Sequence, residues 1–265
     1  MTNADVTEEK GPAPVVFEQP LNERVRTFLR LEFLFGQHAH HRRDPHEYGL
    51  RARLHALLDI LTVLSRSDLK KELVKELQEQ SNLLSRLASR PGVDVRRLEE
   101  VQGEIAQALQ GLQQLTTQFA GAQLRESEFL ISVHNRSTIP GGTCAFDVPT
   151  LHYWLSQPAE VAQRNLDAWF ADLSAYERAV RLWLRLLRGS TEPVRAQARN
   201  GMFVHMPQGP CQLVRVFVDV AASAYPEISA GAHRFTVRFM SLRDVNQRAT
   251  QLQSDLPFSL QCCTL

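Results

Sequence analysis

The sequence has little that would direct it to a membrane, a secretory route or a polyanion. No apolar run in its 265 residues approaches the roughly 20 needed to cross a bilayer. The opening MTNADVTEEKGPAP lacks the basic start and apolar centre of a signal peptide. With 30 basic and 29 acidic side chains, the formal net charge is only +1, so the whole molecule has no general attraction for nucleic acid or an anionic membrane. We therefore expect a cytoplasmic protein without membrane insertion and without a nucleic-acid partner.

Cysteine and the common catalytic motifs are also scarce. Cys144, Cys211 and the adjacent Cys262 and Cys263 form neither a disulfide framework nor paired C-x-x-C spacings, and we expect them to be reduced. The sequence contains no G-x-x-x-x-G-K-[ST], G-x-G-x-x-G, H-E-x-x-H or G-x-S-x-G motif. We predict no cofactor and no metal.

Apolar periodicity divides the chain into a helical part and a β part. Residues 1–14 are polar and flanked by proline, which predicts a disordered tail, and VVFEQPL (15–21) predicts a first strand. Helical spacing dominates residues 22–190, where Asn22 is placed to cap the first helix. Residues 191–265 alternate apolar with polar side chains between turn residues, notably in GMFVHM (201–206), CQLVRVFVDV (211–220), HRFTVRFMSL (233–242) and PFSLQCCTL (257–265).

This order of elements determines the predicted fold class. Helices followed by strands, with one strand supplied by the N-terminus, indicate an α+β protein. We predict a helical domain of long helices plus an antiparallel β domain closed by both chain ends.

One segment, HNRSTIPGGTCAFDVPTLHYWL (134–155), contains the residue types of a thiol enzyme. Cys144, Asp147 and His152 match a nucleophile, an orienting acid and a base. Closeness in sequence is not geometry, however, and the Pro-Gly-Gly sequence suits a tight turn. We interpret 139–147 as a strand-turn segment that joins the β domain, with Cys144 as a structural residue. A thiol-dependent enzyme that uses Cys144 and His152 is the alternative.

Arginine on regular elements is the remaining chemical signal. Arg26 and Arg30 lie four apart on the first predicted helix, and Arg66 lies at a helix junction. Arg234 and Arg238 lie four apart on a predicted strand, where even spacing keeps side chains on one face. Arginines that converge on a groove would bind an acidic peptide, because the guanidinium group holds carboxylates bidentately. A nucleic-acid-binding protein that uses the basic first helix is a further hypothesis, which the balanced charge disfavours.

Several stretches together resemble a known family. They are FEQPLNERVRTFLRLEFL (17–34), STIPGGTCAFDVPTLHYWL (137–155), YPEISAGAHRFTVRFM (225–240) and the terminal Cys-Cys pair. The chain resembles the ZapD family, the Z-ring-associated proteins of bacterial cell division, from Val15 to Cys263. The resemblance implies a non-enzymatic homodimer at the mid-cell Z-ring, which binds the C-terminal tail of the tubulin-like protein FtsZ and bundles its filaments.

The resemblance also implies the residues that hold the FtsZ tail. The helix before the Pro-Gly-Gly turn departs from the family pattern, since Glu128 stands where relatives tend to have arginine, and Arg125 or Arg136 is a substitute. The histidine-rich stretch 38–46, which we interpret as a solvated loop and not a metal site, also lies outside the shared pattern. Position by position, the basic set of the family corresponds to Arg26, Arg30, Arg66, His152, Arg234 and Arg238.

Overall fold

The computed structural model describes residues 13–66, 68–88, 91–115, 124, 126–207, 209–230, 234–242 and 244–265. Within these ranges the helices are α1 (Glu23–His41), α2 (Glu47–Arg66), α3 (Leu69–Leu87), α4 (Val95–Gln114), α5 (Glu128–Ser137), α6 (Pro149–Leu155), α7 (Ala159–Asp172) and α8 (Ser174–Arg188). The strands are β1 (Val15–Pro20), β2 (Val194–Ala198), β3 (Met202–His205), β4 (Leu213–Val218), β5 (Ala224–Ala230), β6 (Phe235–Ser241), β7 (Thr250–Gln251) and β8 (Leu256–Cys263). Most of the predicted tail, 1–14, lies outside the described residues.

The chain divides into two compact units, one containing the strands and one containing most of the helices. The β unit comprises Met1–Arg26 and Leu186–Leu265, and the helical unit comprises Thr27–Arg185. Sequence periodicity predicted a helical domain over 22–190, with its boundaries at the ends of the first and last helices. In the structure, the boundaries between the two units fall within α1 and within α8. The first turn of α1 is tied to the strands, because Arg24 Nη2 donates to Gln212 Oε1 over 2.9 Å.

Two antiparallel sheets form the β unit. Their strand orders are β1-β4-β8-β2 and β3-β6-β5, with β7 paired to β6. The first and last strands of the chain therefore belong to one sheet, which confirms the predicted α+β class and the closure by both chain ends. Alternation along the strands builds one core shared by both sheets, which includes Val214, Val216 and Val218 of β4 and Phe235, Val237 and Phe239 of β6.

A row of polar side chains crosses the first sheet on the face opposite this core. Glu18 of β1 lies directly across from Arg215 of β4, which lies across from Gln261 of β8. The Glu18 carboxylate accepts hydrogen bonds from Arg215 Nε at 2.8 Å and from Arg188 at 2.8 and 2.7 Å. Burial favours a higher pKa for Glu18, but the hydrogen bonds and charges of Arg188 and Arg215 outweigh burial and hold this pKa below 4.5. The row joins four segments that are distant in sequence.

The helical unit has an apolar core that also contains a buried cation. Phe28 of α1 and Trp183 of α8 meet edge to face, with ring centroids 4.9 Å apart. Arg53 of α2 is completely buried. Its Nη2 donates to Asp167 Oδ1 at 2.5 Å, and its Nε donates to Nδ1 of His38 at 3.4 Å. Because a buried charge is costly unless it is paired and hydrogen-bonded, these contacts fix α1, α2 and α7 around Arg53.

His38 illustrates how the helices depart from the sequence interpretation. Helix α1 continues to His41, so His38, His40 and His41 belong to a helix and the predicted loop begins later. His38 is buried and stacks on Phe170, with centroids 3.4 Å apart. Burial and the neighbouring charge of Arg53 lower the pKa of His38 to about 4. A neutral ring suits this position, since Nδ1 accepts the hydrogen bond from Arg53.

Asn22 was correctly predicted to cap α1, because its Oδ1 accepts a hydrogen bond from the Val25 amide at 2.8 Å.

The segment 139–147 was wrongly predicted to be a strand-turn that joins the β domain. It forms successive turns and belongs to the helical unit. The amides of Gly142, Cys144 and Asp147 each donate to a carbonyl three residues earlier, at 2.8, 3.1 and 3.2 Å. Gly141 has a φ of +72°, which favours glycine. Since these backbone groups are satisfied locally, they need no strand partner.

The Glu18 contacts lead to a test of the β unit. Glu18→Gln removes a charge that two guanidinium groups share, and we expect it to lower the free energy of unfolding by about 2–3 kcal/mol at neutral pH. Because the folded pKa of Glu18 lies below 4.5, its contribution is complete above that pH and is lost as the pH falls through the folded pKa. The difference between wild type and variant in urea unfolding should therefore shrink in acid.

Glu227→Gln is the matched control, because Glu227 forms an exposed pair with Arg238 in the same unit. This substitution should lower the free energy of unfolding by less than about 1 kcal/mol. Equal losses for the two variants would show that the Glu18 network is no more important than a surface ion pair.

Candidate functional site

Of the six residues that the family resemblance assigns to tail binding, three belong to each unit. Arg26, Arg234 and Arg238 belong to the β unit, and Arg30, Arg66 and His152 belong to the helical unit. All are exposed except Arg26, which is half-buried. Each unit thus presents its own set of cationic or titratable side chains to solvent.

In the β unit, Arg238 lies on the outer face of β6, between Glu227 of β5 and Met202 of β3. Its Nη2 is 3.2 Å from Glu227 Oε2, and the side chains are 53% and 45% exposed. An ion pair this exposed adds little stability, so Arg238 can exchange Glu227 for another carboxylate at small cost. Arg234 precedes β6 by one residue and is exposed, so the strand geometry that orients Arg238 does not extend to it.

Arg26 of α1 also forms an ion pair at the protein surface. Its Nη1 lies 2.6 Å from Glu23 Oε2, one turn earlier on the helix. Four residues along α1, Arg30 is exposed in the helical unit. Arg66 is the last residue of α2, where a cation is favoured by the helix dipole.

His152 lies on the short helix α6, which follows the turns of 139–147. Pro149 begins this helix, and the His152 amide donates to the Val148 carbonyl at 3.2 Å. The turns are attached to α2, because Arg51 Nη1 donates to the Thr143 carbonyl at 3.1 Å. The position of His152 therefore depends on the Pro-Gly-Gly turns, although its side chain is exposed.

The residues proposed for a thiol enzyme are not assembled as such a site. The Cys144 thiol donates to Asp147 Oδ2 at 3.3 Å. Within the described part of the chain, neither Cys144 nor Asp147 is hydrogen-bonded to the imidazole of His152. A nucleophile needs a base within hydrogen-bonding reach, and here the thiol is instead part of the local turn structure.

Glu128, which replaces a basic residue of the family pattern, is the first residue of α5 and is exposed. A carboxylate is favoured at this helix end, and Ser127 caps the helix by accepting from the Leu130 amide at 3.3 Å. Of the two substitutes suggested above, Arg136 is exposed in the last turn of α5. Arg125 lies outside the described residues.

Sequence reasoning missed a groove in the helical unit between α5, α6 and α7. It has a volume of about 950 Å³ and is lined mainly by aromatic and apolar side chains, among them Phe129, Trp154 and Trp169. The only hint in the sequence is the aromatic pair in LHYWL. Three rings that come from three helices become neighbours only in the folded chain.

Two further properties can be stated for the described ranges. They contain no group of three His, Cys, Asp or Glu side chains placed to hold a metal ion. None of their helices combines the length and apolar character that a membrane span requires.

Comparison with known proteins identifies the family. The ZapD family model, described as a cell division protein, matches residues 29–238. The cell division protein ZapD of Chromobacterium violaceum is 38% identical over 250 residues, which cover 94% of this chain and 99% of the relative. The chain belongs to the ZapD family.

Other ZapD relatives are similar over the same length. The cell division protein ZapD of Coxiella burnetii (strain RSA 331 / Henzerling II) is 35% identical over 255 residues, or 95% of this chain and 98% of the relative. The cell division protein ZapD of Cupriavidus necator is 36% identical over 251 residues, or 94% and 99%. These matches confirm the resemblance and support a role in cell division.

The turn around Cys144 provides a test of its structural role. Cys144→Ser should unfold in urea within about 1 kcal/mol of wild type, because a serine hydroxyl can also donate to Asp147. Cys144→Ala loses that donor and should be the less stable of the two variants. A Cys144→Ser protein that keeps wild-type stability but loses its activity in cell division would mean that the thiol itself has a function.

Proposed function

We propose that this ZapD-family protein is a non-enzymatic cell-division factor that binds the C-terminal tail of FtsZ. In binding, it cross-links FtsZ filaments and so promotes Z-ring assembly at mid-cell. Family membership over nearly the whole chain supports this proposal. The observation that carries the binding mode is the exposure of guanidinium groups in both units, at Arg30, Arg66, Arg234 and Arg238.

These arginines suit a tail that presents carboxylates. Arg238 is joined to its neighbour Glu227 only by an exposed pair, which an incoming carboxylate can replace. Met202, across from Arg238 on β3, is 47% exposed, so an apolar side chain of the tail has a surface beside the cation. Arg26 and His152 complete the proposed set.

Cross-linking requires more than one binding site per particle. We propose a symmetric homodimer that carries one tail site on each subunit. A second capture on the same particle is intramolecular, and repetition along a polymer turns individually weak contacts into a stable cross-link. Such contacts also allow the bundle to remodel.

Charge reversal in each unit tests the binding residues. Arg30→Glu and Arg234→Glu should each weaken binding of a labelled FtsZ tail peptide, measured by fluorescence anisotropy. Since a charge-assisted hydrogen bond contributes about 1.5–3 kcal/mol, the double variant should bind more than about a hundredfold more weakly. Wild-type affinity should fall with added salt, because exposed charges are screened over roughly 8 Å at physiological ionic strength.

Arg96→Glu is the matched control for charge reversal, because Arg96 is highly exposed on α4 and does not belong to the proposed set. It should bind the peptide as wild type does. If folded Arg30→Glu and Arg234→Glu proteins also keep full affinity, the assignment of the basic set is wrong.

Subunit mixing tests the bivalent dimer and needs no variant of its interface. Wild-type protein is exchanged with an equal amount of the Arg30→Glu/Arg234→Glu variant, so that about one quarter of the dimers keep two intact sites. Light scattering from FtsZ filaments should then fall to well below half of the wild-type signal. Samples mixed without time for exchange are the control. A signal that falls only to about three quarters after complete exchange, above the half expected of the unexchanged control, would show that one intact subunit is sufficient for bundling.

A further inference from the structure

The aromatic groove between α5, α6 and α7 has the properties of a recognition site. Each helix contributes a ring to a cluster of three: Phe129, Trp154 and Trp169. The centroid of Phe129 lies 5.3 Å from that of Trp154 and 6.0 Å from that of Trp169. The two indole rings are 6.2 Å apart and inclined by 27°. They form a nearly continuous aromatic wall.

The wall is held in place before any ligand arrives. The indole N–H of Trp154 donates to Asn165 Oδ1 at 3.0 Å, so its polar edge is satisfied and its orientation is fixed. Pro149, at the start of α6, is also part of the lining. A rigid aromatic surface loses little conformational entropy on binding, which is one way in which preorganised sites gain affinity.

The groove also exposes aromatic area that the fold of the described chain does not use. Tyr153 lines the groove and is 68% exposed, and Trp154 and Trp169 are only half-buried. Tyrosine and tryptophan dominate the energetics of protein interfaces.

Charge indicates what the groove binds. Glu128 is the one side chain among the described lining residues that is charged at neutral pH. It is exposed, and within the described part of the chain no ion pair engages it. Aromatic faces carry partial negative charge and attract Lys and Arg side chains. Rings and carboxylate together therefore select a cation, the opposite of what the arginine set selects.

The size of the groove favours a peptide over a small cation. A volume of about 950 Å³ lies at the upper end of the roughly 300–1,000 Å³ typical of small-molecule sites. One guanidinium or ammonium group fills only a small part of it, and apolar neighbours of that group would cover the remaining aromatic surface.

We propose that this groove docks a short peptide segment of a partner protein that carries an arginine or lysine beside apolar residues. The cation lies over the faces of Trp154 and Trp169 and against Glu128, and the apolar neighbours cover Phe129 and Tyr153. The groove adjoins the proposed tail-binding set, since Glu128 stands at a position that the family pattern gives to a basic residue, but it selects a cation where the arginine set selects carboxylates.

Matched peptides test the proposal on the full-length protein. The probes are capped Gly-Phe-Arg-Phe-Gly and the same peptide with citrulline, which keeps the shape of arginine but has no charge. The readout is tryptophan fluorescence, to which Trp154 and Trp169 contribute from the groove while Trp183 is completely buried. The arginine peptide should bind about tenfold more tightly than the citrulline peptide, as cation–π and ionic contacts of this kind imply.

Variants locate the binding. Trp169→Leu should weaken binding of the arginine peptide about tenfold. Glu128→Gln should weaken its binding a few-fold and reduce the preference of the protein for the arginine peptide over the citrulline peptide. Glu160→Gln is the control, since Glu160 is an exposed carboxylate on α7 outside the lining, and it should change nothing. Circular dichroism and thermal unfolding establish that each variant is folded.

Three results would overturn the proposal. One is equal or undetectable binding of the two peptides to folded wild-type protein. Another is tetramethylammonium alone binding, by the same readout, as tightly as the arginine peptide, which would identify a small-cation site. The third is that Trp169→Leu converts a dimer to a monomer in sedimentation while no peptide binds, which would assign the groove to contact between two copies of this chain.

Discussion

The β unit depends on the carboxylate of Glu18. This one group accepts hydrogen bonds from Arg215 in the neighbouring strand and from Arg188 at the end of α8. Arg215 in turn reaches Gln261 of β8, whose amide donates to the Arg188 carbonyl at 2.7 Å. β1 pairs only with β4 among the described strands. The ionic row therefore supplements the single ladder that attaches the N-terminal strand, and it links both chain ends to the last helix.

The helical unit uses arginine in the same way at Arg53. Its charge is buried completely, so removal of Asp167 would leave an unpaired cation in the core. His38 is adapted to this environment, because its pKa of about 4 keeps the ring neutral beside the guanidinium at physiological pH. Protonation in acid would place two cations together. In both units, a polar contact between segments distant in sequence fixes how apolar elements pack.

Local rules predicted much of the fold, and long-range contacts explain what they missed. Asn22 is followed by a helical pattern, and a cap needs only its neighbours, so this prediction held. β2 was missed because VRAQA, although it alternates, has alanines at its inward positions, which favour strands only weakly, and its register is set by pairing with β8. The strand expected in 139–147 failed because turn hydrogen bonds within the segment satisfy its backbone. The ion pair of Arg53 with Asp167, 114 residues apart, has no signature in either local sequence.

Long-range contacts also separate the arginines that hold the fold together from those that are available to a partner. Every arginine carries the same charge in the sequence, but Arg53, Arg188 and Arg215 are at most 23% exposed and are held by hydrogen bonds to segments far along the chain. Releasing one of them to a ligand would leave a partly buried carboxylate or amide unpaired, which is expensive.

Arg26 and Arg238 have the opposite environment. Their acidic neighbours, Glu23 and Glu227, are themselves exposed, so water solvates whichever group is released and the exchange costs little. Burial and the solvation of the partner, more than charge or spacing, therefore decide which guanidinium groups can bind a carboxylate. By this criterion Arg238 can exchange its partner for another carboxylate, whereas Arg215, only two strands away in sequence from it, is committed to holding the fold together.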